Sequence, residues 1–351
     1  MSEIALTPVF LAALTSALAT AWLRRHPAAL AMLDRPGQHK MHHAPVPAIG
    51  GIGVVLGIAL AWLLGTSGPP AVLPAGLLVL LAAGMLDDHR GVSARGRFLI
   101  QGGVALAMAL SGDLVLRDFG ELLWPGATLA LGVFAIPVTV FCAVGVINAV
   151  NMIDGSDGLA GGLALLSLCA IAVLAADSLA HATVPILLAA GAALIGFLAF
   201  NLRFCGRPAR VFLGNGGSMA VGGLLAWFAI GLSQGEGRAF APVTALWLLA
   251  VPLIDTVSVM WRRLVAGHSP FAADHQHVHH LLLRAGLSVN GTLGVVLCVH
   301  AGCIVVGIAG EWFEVAQSLR FGAFLLVALG LHALKVQAAR RLPPLRASAV
   351  R

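Results

Sequence analysis

Two aspartates stand three residues apart in NAVNMIDGSDGLAGG, residues 148–162, a glycine-rich break between two long apolar runs. Asp154 and Asp157 are each followed by a glycine, Gly155 and Gly158, and are preceded by Asn148 and Asn151. Glycine lets backbone approach a bound group closely. Carboxylate and amide oxygens suit a hard cation such as Mg²⁺, usually held by one or two carboxylates plus substrate phosphates. A solvated turn is the plain alternative, because Asn, Asp and Gly all favour turns.

A second acidic feature, Asp87 with Asp88, lies in GMLDDHRGVSARGRFLIQ. Adjacent like charges cost energy unless a cation or a shared proton relieves them. Neutralisation by Arg90, Arg95 or Arg97 is the alternative, since ion pairs of this kind are common and weak. Two basic segments complete the polar inventory. DRPGQHKMHHAPVPAIGG carries His39, Lys40, His42 and His43 ahead of two prolines and a glycine pair. Its cations can steer an anionic phosphate or contact anionic lipid. RRLVAGHSPFAADHQHVHH ends in His277, His279 and His280. Zinc fits that run poorly, because no cysteine accompanies the histidines and structural zinc spacings usually differ; a solvated run is the other plain reading.

The elements that must position these groups are membrane helices. The chain is 59% hydrophobic and 10% charged, with a mean hydropathy of +0.94, and runs of about 18 to 20 apolar residues recur, the length that spans a bilayer. The formal charge of +6 would suggest nucleic acid in a soluble chain, but here the placement of the basic residues matters more. The five cysteines are scattered without a CxxC pair and read as reduced, small hydrophobes.

The apolar runs are about 4–23, 48–65, 71–86, 98–112, 127–147, 159–176, 183–200, 216–232, 241–261, 291–310 and 319–337. The expected architecture is therefore an all-α polytopic integral membrane protein with about eleven transmembrane helices. The first run has an acid before it and Arg24 and Arg25 after it, unlike a cleavable signal peptide. That places the N-terminus outside and the C-terminus in the cytoplasm; a signal anchor of reverse sense is the alternative. The inner segments are then 24–47, 87–97, 148–158, 201–215, 262–290 and the tail. With Lys335 counted in the tail, they hold 18 of the 21 Lys and Arg, leaving Arg117, Arg238 and Arg320 outside. Ten of the thirteen histidines are also inner. One face thus gathers carboxylates, imidazoles and basic side chains from six segments, as an active site on the cytoplasmic face requires. The expected organisation is one transmembrane catalytic domain, 1–338, and a basic cytoplasmic tail, 339–351.

Taken with VFLGNGGSMAVGG, these motifs resemble the inner-face motifs of the polyprenyl-phosphate N-acetylhexosamine-1-phosphate transferases. That family includes the bacterial GlcNAc-1-phosphate transferases that start O-antigen, enterobacterial common antigen or teichoic acid, and the related MurNAc-pentapeptide translocases. The likeness covers about residues 30 to 285, and its specificity rests on five motifs occurring together in order. It implies that Asp87 and Asp88 match the aspartate pair associated with metal and the lipid phosphate acceptor. Asn151, Asp154 and Asp157 match the second acidic motif, associated with nucleotide-sugar binding and catalysis. His277, His279 and His280 match the HxHH motif, associated with the sugar nucleotide and its diphosphate, and the loop that carries them resembles the GlcNAc-1-phosphate branch. Lys40, His42, Asn148, Arg207 and Arg263 complete the substrate-binding candidates, and the metal candidates are Asp87, Asp88, Asp154 and Asn215.

One position departs from the pattern. Asn215 stands where the family usually has Asp in LGDxGS, an Asp tied to the metal. Asparagine keeps a carbonyl oxygen but loses the charge, so cation affinity should fall. Three explanations stay open: a natural variant compensated by Asp154, Asp157 or Asp255, a substitution introduced to stop turnover, or a chain that no longer catalyses. Asp255, inside the ninth apolar run, is a functional candidate by default, with pairing inside the bundle as its alternative.

The resemblance implies transfer of N-acetylhexosamine-1-phosphate, with GlcNAc as the expected sugar, from a UDP-sugar to undecaprenyl phosphate. UMP is released, and Mg²⁺ is the cofactor, with Mn²⁺ as a substitute. The partners are then the polyprenyl phosphate lipid, the UDP-sugar and the bilayer of a bacterial inner membrane; a homodimer is allowed and nucleic acid is not expected. The acceptor is largely dianionic at neutral pH, so direct attack on the β-phosphorus needs positioning and charge neutralisation more than a strong base. An aspartyl-phosphate intermediate is the alternative route. Another UDP-N-acetyl sugar, an inactive homologue and a transporter are the competing functions; transporters place their charges near the bilayer midplane and often show a repeat.

Overall fold

The protein is described by a computed structural model covering residues 6–26, 33–34, 45–65, 68–112, 114–204, 207–269 and 276–342. Lys40 and His42 lie outside the described residues. The fold is helical, with one two-stranded antiparallel pair. In chain order the elements are α1 (Leu6–Leu23), β1 (Leu33–Asp34), β2 (Val46–Pro47), α2 (Gly50–Leu64), α3 (Val72–Arg90), α4 (Ala94–Ser111) and α5 (Ala135–Ile153). There follow α6 (Leu159–Ala176), α7 (Val184–Asn201), α8 (Gly214–Gly231), α9 (Pro242–Leu248), α10 (Ala250–Val265), α11 (Val278–Arg284), α12 (Val289–Trp312) and α13 (Gln317–Arg341). Leu33 pairs with Pro47 and Asp34 with Val46.

Each of the eleven apolar runs overlaps a helix or, for the ninth, a pair of helices. Among the described residues, seven helices are long and apolar enough to cross a membrane, namely α1, α3, α5, α6, α7, α12 and α13, or eight if α9 and α10 make one span. The chain is a multi-pass membrane protein. In α2 the apolar stretch is only 15 residues long.

The bundle is built around α8, in which every residue from Gly216 to Ile230 is buried. Its glycines would weaken a helix in water. Inside a bilayer, where helices gain nothing from excluding water from one another, small residues instead permit the close backbone approach that holds them together. A Cβ added at Gly84 of α3 would lie 2.3 Å from the Gly216 nitrogen, and one at Gly51 of α2 would lie 2.3 Å from the Gly217 Cα. The amino end of α8 is tied down separately. Gly50 and Gly51 donate their N–H groups to the Phe212 and Leu213 carbonyls, and Phe212 donates to Pro47. Gly214 turns the chain into the helix with a φ of +77°, which favours glycine.

The ninth run is not one helix. α9 and α10 meet at an angle of 83°, and the chemistry of Pro252 accounts for the break. Proline has no N–H to give the carbonyl four residues back, which is that of Leu248. In a membrane such a group must find another partner. Ser167 Oγ of α6 donates to it at 2.7 Å, and His300 Nε2 of α12 lies 3.0 Å from the same hydroxyl. The bend sends α10 toward the end of the bundle where the aspartates collect.

Candidate active site

The carboxyl ends of α3 and α5, the amino end of α8, the loop before α6 and the short helix α11 meet at one end of the bundle. At the centre is a hydrogen-bonded chain from α3 to α5. Asn215 donates through Nδ2 to Asp87 Oδ2 at 3.0 Å and through its backbone N–H to Asp88 Oδ2 at 2.9 Å. Its Oδ1 accepts from Asn151 Nδ2 at 2.9 Å, and the same Asn151 amide group donates to Ser218 Oγ at 2.8 Å. The residues of this chain come from three segments far apart in sequence, and the first turn of α8 is the part that touches both neighbours.

The adjacent aspartates differ in environment. Asp87 is buried and committed: Oδ1 accepts the Val92 N–H at 2.7 Å, and Oδ2 accepts Arg97 Nη1 at 2.7 Å besides Asn215. It therefore closes the turn from α3 into α4, where Ser93 caps α4 by accepting the Gly96 N–H. Of the three arginines expected as neutralisers, Arg97 is the one in contact with Asp87. Asp88, one residue on, is exposed at the end of α3.

Asn148 and Asn151 stand on the last turns of α5, not in a loop. Asn148 Nδ2 donates to Gln101 Oε1 of α4 and to the Val144 carbonyl, so its amide hydrogens serve helix packing one turn from the site. Asp154 follows α5 directly, and among the described residues no donor reaches its carboxyl group. Burial, with the Asp88 and Asp157 carboxylates nearby, pushes it up to about 7. Asp157 is differently placed. It accepts Arg203 Nε at 2.6 Å and the Ala209 N–H at 3.1 Å, which anchors the loop before α6 to the segment before α8. Arg203 was not singled out in the sequence, and only its place among the basic residues of the inner segments hinted at a partner. Arg207 is exposed beside it, and Arg263 is buried in the last turn of α10.

The histidines form a second layer. His277 is the N-cap of α11; its Nδ1 lies 2.6 Å from Asp255 Oδ2, while Asp255 Oδ1 accepts the Val278 N–H at 2.9 Å. Lys335 of α13 donates to the same Oδ1. Asp255 is thus paired inside the bundle and Asp157 is held by Arg203, while among the described residues Asp154 has no cationic partner. His279 and His280 have ring centroids 4.1 Å apart. Neither ring nitrogen of the buried His279 meets a hydrogen-bond partner among the described residues. Burial and the flanking imidazoles hold it well below the usual histidine range. Its Nε2 faces the Asp154 loop closely: a Cβ added at Gly155 would lie 2.5 Å away. Glycine at 155 is what allows the imidazole layer and the acidic loop to touch.

Among the described residues, no three His, Cys, Asp or Glu side chains converge to hold a metal ion unaided. Asp88 and Asn151 are joined through Asn215, and the Asp154 carboxyl lies close enough to the Asp88 carboxylate to feel its charge. An unpaired, partly buried carboxyl beside a second carboxylate fits a hard cation that takes its remaining ligands from phosphate and water. The residues present therefore suit Mg²⁺ shared with a substrate.

Residues 71–233 match glycosyl transferase family 4. Relatives named undecaprenyl-phosphate alpha-N-acetylglucosaminyl 1-phosphate transferase align over most of the chain. The protein from Yersinia pestis is 34% identical over 316 residues, covering 89% of this chain and 86% of the relative. That from Escherichia coli O157:H7 is 35% identical over 85% of this chain and 82% of its own length. For Haemophilus influenzae the figures are 34%, 87% and 87%.

Proposed function

Since the chain belongs to glycosyl transferase family 4 and is a phosphoglycosyltransferase, we propose that it transfers N-acetylglucosamine-1-phosphate from UDP-GlcNAc to undecaprenyl phosphate at the cytoplasmic face of a bacterial inner membrane. The relatives' names support the sugar and the lipid. The observation that carries the reading is the junction of Asp88, Asn215 and Asn151 at the Asp154 loop, against which the buried His279 packs without a hydrogen-bond partner among the described residues. An arrangement of oxygen donors facing imidazoles at one end of a helical bundle suits a diphosphate that shares a cation with the protein. Eleven crossings, with the N-terminus outside and the tail in the cytoplasm, put that end inside, in line with 18 of 21 Lys and Arg in the inner segments.

An oxygen of the lipid phosphate attacks the β-phosphorus of the UDP-sugar. The bond from that phosphorus to the bridging oxygen breaks, and UMP leaves with the electron pair. Because the acceptor is mostly dianionic near neutral pH, the residual proton of the minority monoanion is all that a base must take, and the exposed Asp88 is placed for it. Asp154, Asp88 and Asn215 would hold Mg²⁺, which supplies charge neutralisation on the diphosphate. His279 presents a ring N–H to a diphosphate oxygen, and Asp255, which engages His277 and the Val278 N–H, holds the amino end of α11 in place. Asp87, held by Arg97, fixes the height of Asp88 and Asn215 and does not itself react.

The test is a transfer assay on the purified chain with undecaprenyl phosphate, Mg²⁺ and a panel of UDP-sugars, reading UMP and lipid-linked product together. Equal release of both with UDP-GlcNAc, lost in EDTA, is expected. Product from a different UDP-sugar alone would overturn the sugar assignment. UMP released in a burst without lipid would overturn direct attack.

A further inference from the structure

The last helix contributes little apolar burial to the fold. Along α13 only Arg320 and Phe324 are buried, and the helix is attached instead by a ladder of polar contacts. Arg320 donates to Thr244 at 2.8 Å and to Glu311, and its carbonyl accepts Trp247 Nε1. Three turns on, His332 Nδ1 lies 2.8 Å from Ser258 Oγ of α10. Lys335 donates to the Asp255 carboxylate and, at 3.2 Å, to the Asp255 carbonyl. At the end of the ladder, Arg284 of α11 donates to the carbonyls of Ala339 and Leu342, where a helix terminus leaves acceptors without intrahelical partners and favours a cation.

Two of these contacts fasten the same short element. A seven-residue helix such as α11 does not hold itself in water or at an interface, because nucleation is unfavourable and only tertiary contacts offset it. Its amino end is secured by Asp255, which accepts both the Val278 N–H and His277 Nδ1, and Asp255 is 2% exposed. A carboxylate at such a place persists only if paired, and Lys335 is its cationic partner. The carboxyl end of α11 is secured by its own Arg284, which donates to carbonyls at the end of α13. Between the two anchors lies His279, pressed against Gly155.

We propose that α13 is the positioning element of the histidine layer: Lys335, acting through Asp255, and the terminal carbonyls of α13, acting through Arg284, hold α11 so that its imidazoles face the Asp154 loop. Lys335 is a positioning residue, because it touches the carboxylate that fixes His277 and not the reacting atoms. The inference rests on the transferase reading above, with the imidazoles serving the donor diphosphate. It separates the two substrates: α11 faces the nucleotide-sugar side, so loosening it affects the donor and leaves the lipid acceptor unaffected.

The experiment compares wild type, Lys335→Met and Lys335→Arg in detergent, measuring KM for UDP-GlcNAc and for undecaprenyl phosphate separately, with thermal unfolding alongside. Lys335→Met is expected to raise the donor KM about tenfold or more with the lipid KM unchanged, the pattern of lost donor binding, and Lys335→Arg to return it to within about threefold by keeping the charge. A lower unfolding temperature with an unchanged donor KM, or equal rises in both KM values, would overturn the proposal, since a purely structural role gives those results. If Lys335→Met does not yield folded protein, Arg284→Met probes the other anchor with the same split expected, and an unchanged donor KM there overturns it equally. A wild type inactive with every UDP-sugar overturns the transferase reading and this inference with it; an active wild type matched by Lys335→Met overturns the inference alone.

Discussion

Replacing Asn215 by aspartate restores the residue the family pattern expects, and the structure indicates what it would do to this site. The amide nitrogen of Asn215 lies 3.0 Å from Asp87 Oδ2 and donates to it. In Asn215→Asp an anionic oxygen takes that place. Two unit charges at 3.0 Å repel by about 5–6 kcal/mol at an effective dielectric near 20. Arg97, 2.7 Å from the same Asp87 oxygen but one-third exposed, offsets part of this, and rotation of the new carboxylate relieves more. A net loss of about 1–3 kcal/mol is expected when no divalent cation is available. A bound cation reverses the sign, because the added charge then faces Mg²⁺. At 1.4 kcal/mol per tenfold, the same interval corresponds to Mg²⁺ binding about 5- to 140-fold tighter than in the parent. The assay is thermal unfolding of both proteins in EDTA and across an Mg²⁺ titration, with calorimetry for the affinity. The variant should unfold several degrees below the parent in EDTA and at or above it in saturating Mg²⁺. Identical curves in both conditions would refute the reasoning, since they would mean that position 215 senses neither Asp87 nor a cation. Transfer activity measured on the same samples separates the explanations of Asn215: substantial activity in the parent eliminates an inactive chain, and activity only in the variant shows that the carboxylate is required.

Asp154→Asn should lower kcat at least about a hundredfold while leaving the unfolding temperature unchanged or higher, because it removes a partly buried carboxyl group that no donor among the described residues satisfies; steady-state kinetics with calorimetry checks both. Arg203→Met should destabilise the chain by about 2–4 kcal/mol by stranding the Asp157 carboxylate, 10% exposed. The double variant Arg203→Met with Asp157→Asn should recover most of that stability, read by thermal unfolding. Gly84→Ala should prevent normal assembly, at a cost above about 3 kcal/mol, since its Cβ would sit 2.3 Å from the backbone of α8; yield of monodisperse protein in detergent is the measure. Ser167→Ala should cost about 1–2 kcal/mol by leaving the Leu248 carbonyl without its hydroxyl donor, again by thermal unfolding.

Much of the site was legible because its residues announce their chemistry locally. Asp87, Asp88, Asn151 and Asp154 were picked out by type and by their break from apolar surroundings, Asn215 and the three histidines by the resemblance of their motifs to the family's, and the structure brings them to one end of the bundle. Their roles were less legible. Asp87 and Asp88 are indistinguishable as letters, yet the end of α3 turns one inward to Arg97 and leaves the other exposed. Asp157 looked like a twin of Asp154 and is instead an anchor for Arg203. Lys335, counted only as a tail charge, holds Asp255. The ninth run looked continuous because Pro252 is compatible with a membrane helix; its effect depends on whether a neighbour such as Ser167 offers the displaced carbonyl a partner.

From its sequence alone this protein is a helical membrane chain with carboxylates, amides and imidazoles set in the breaks between its apolar runs, because apolarity over a span's length and side-chain chemistry are properties of short segments. Only the tertiary structure decided which of those groups are engaged with each other and which remain to meet a substrate. Asp87 and Asn215 are 128 residues apart and Asp255 and Lys335 are 80 apart. Such pairs form where helices with small residues approach closely enough for backbone and side chain to meet, a distance that no local pattern encodes.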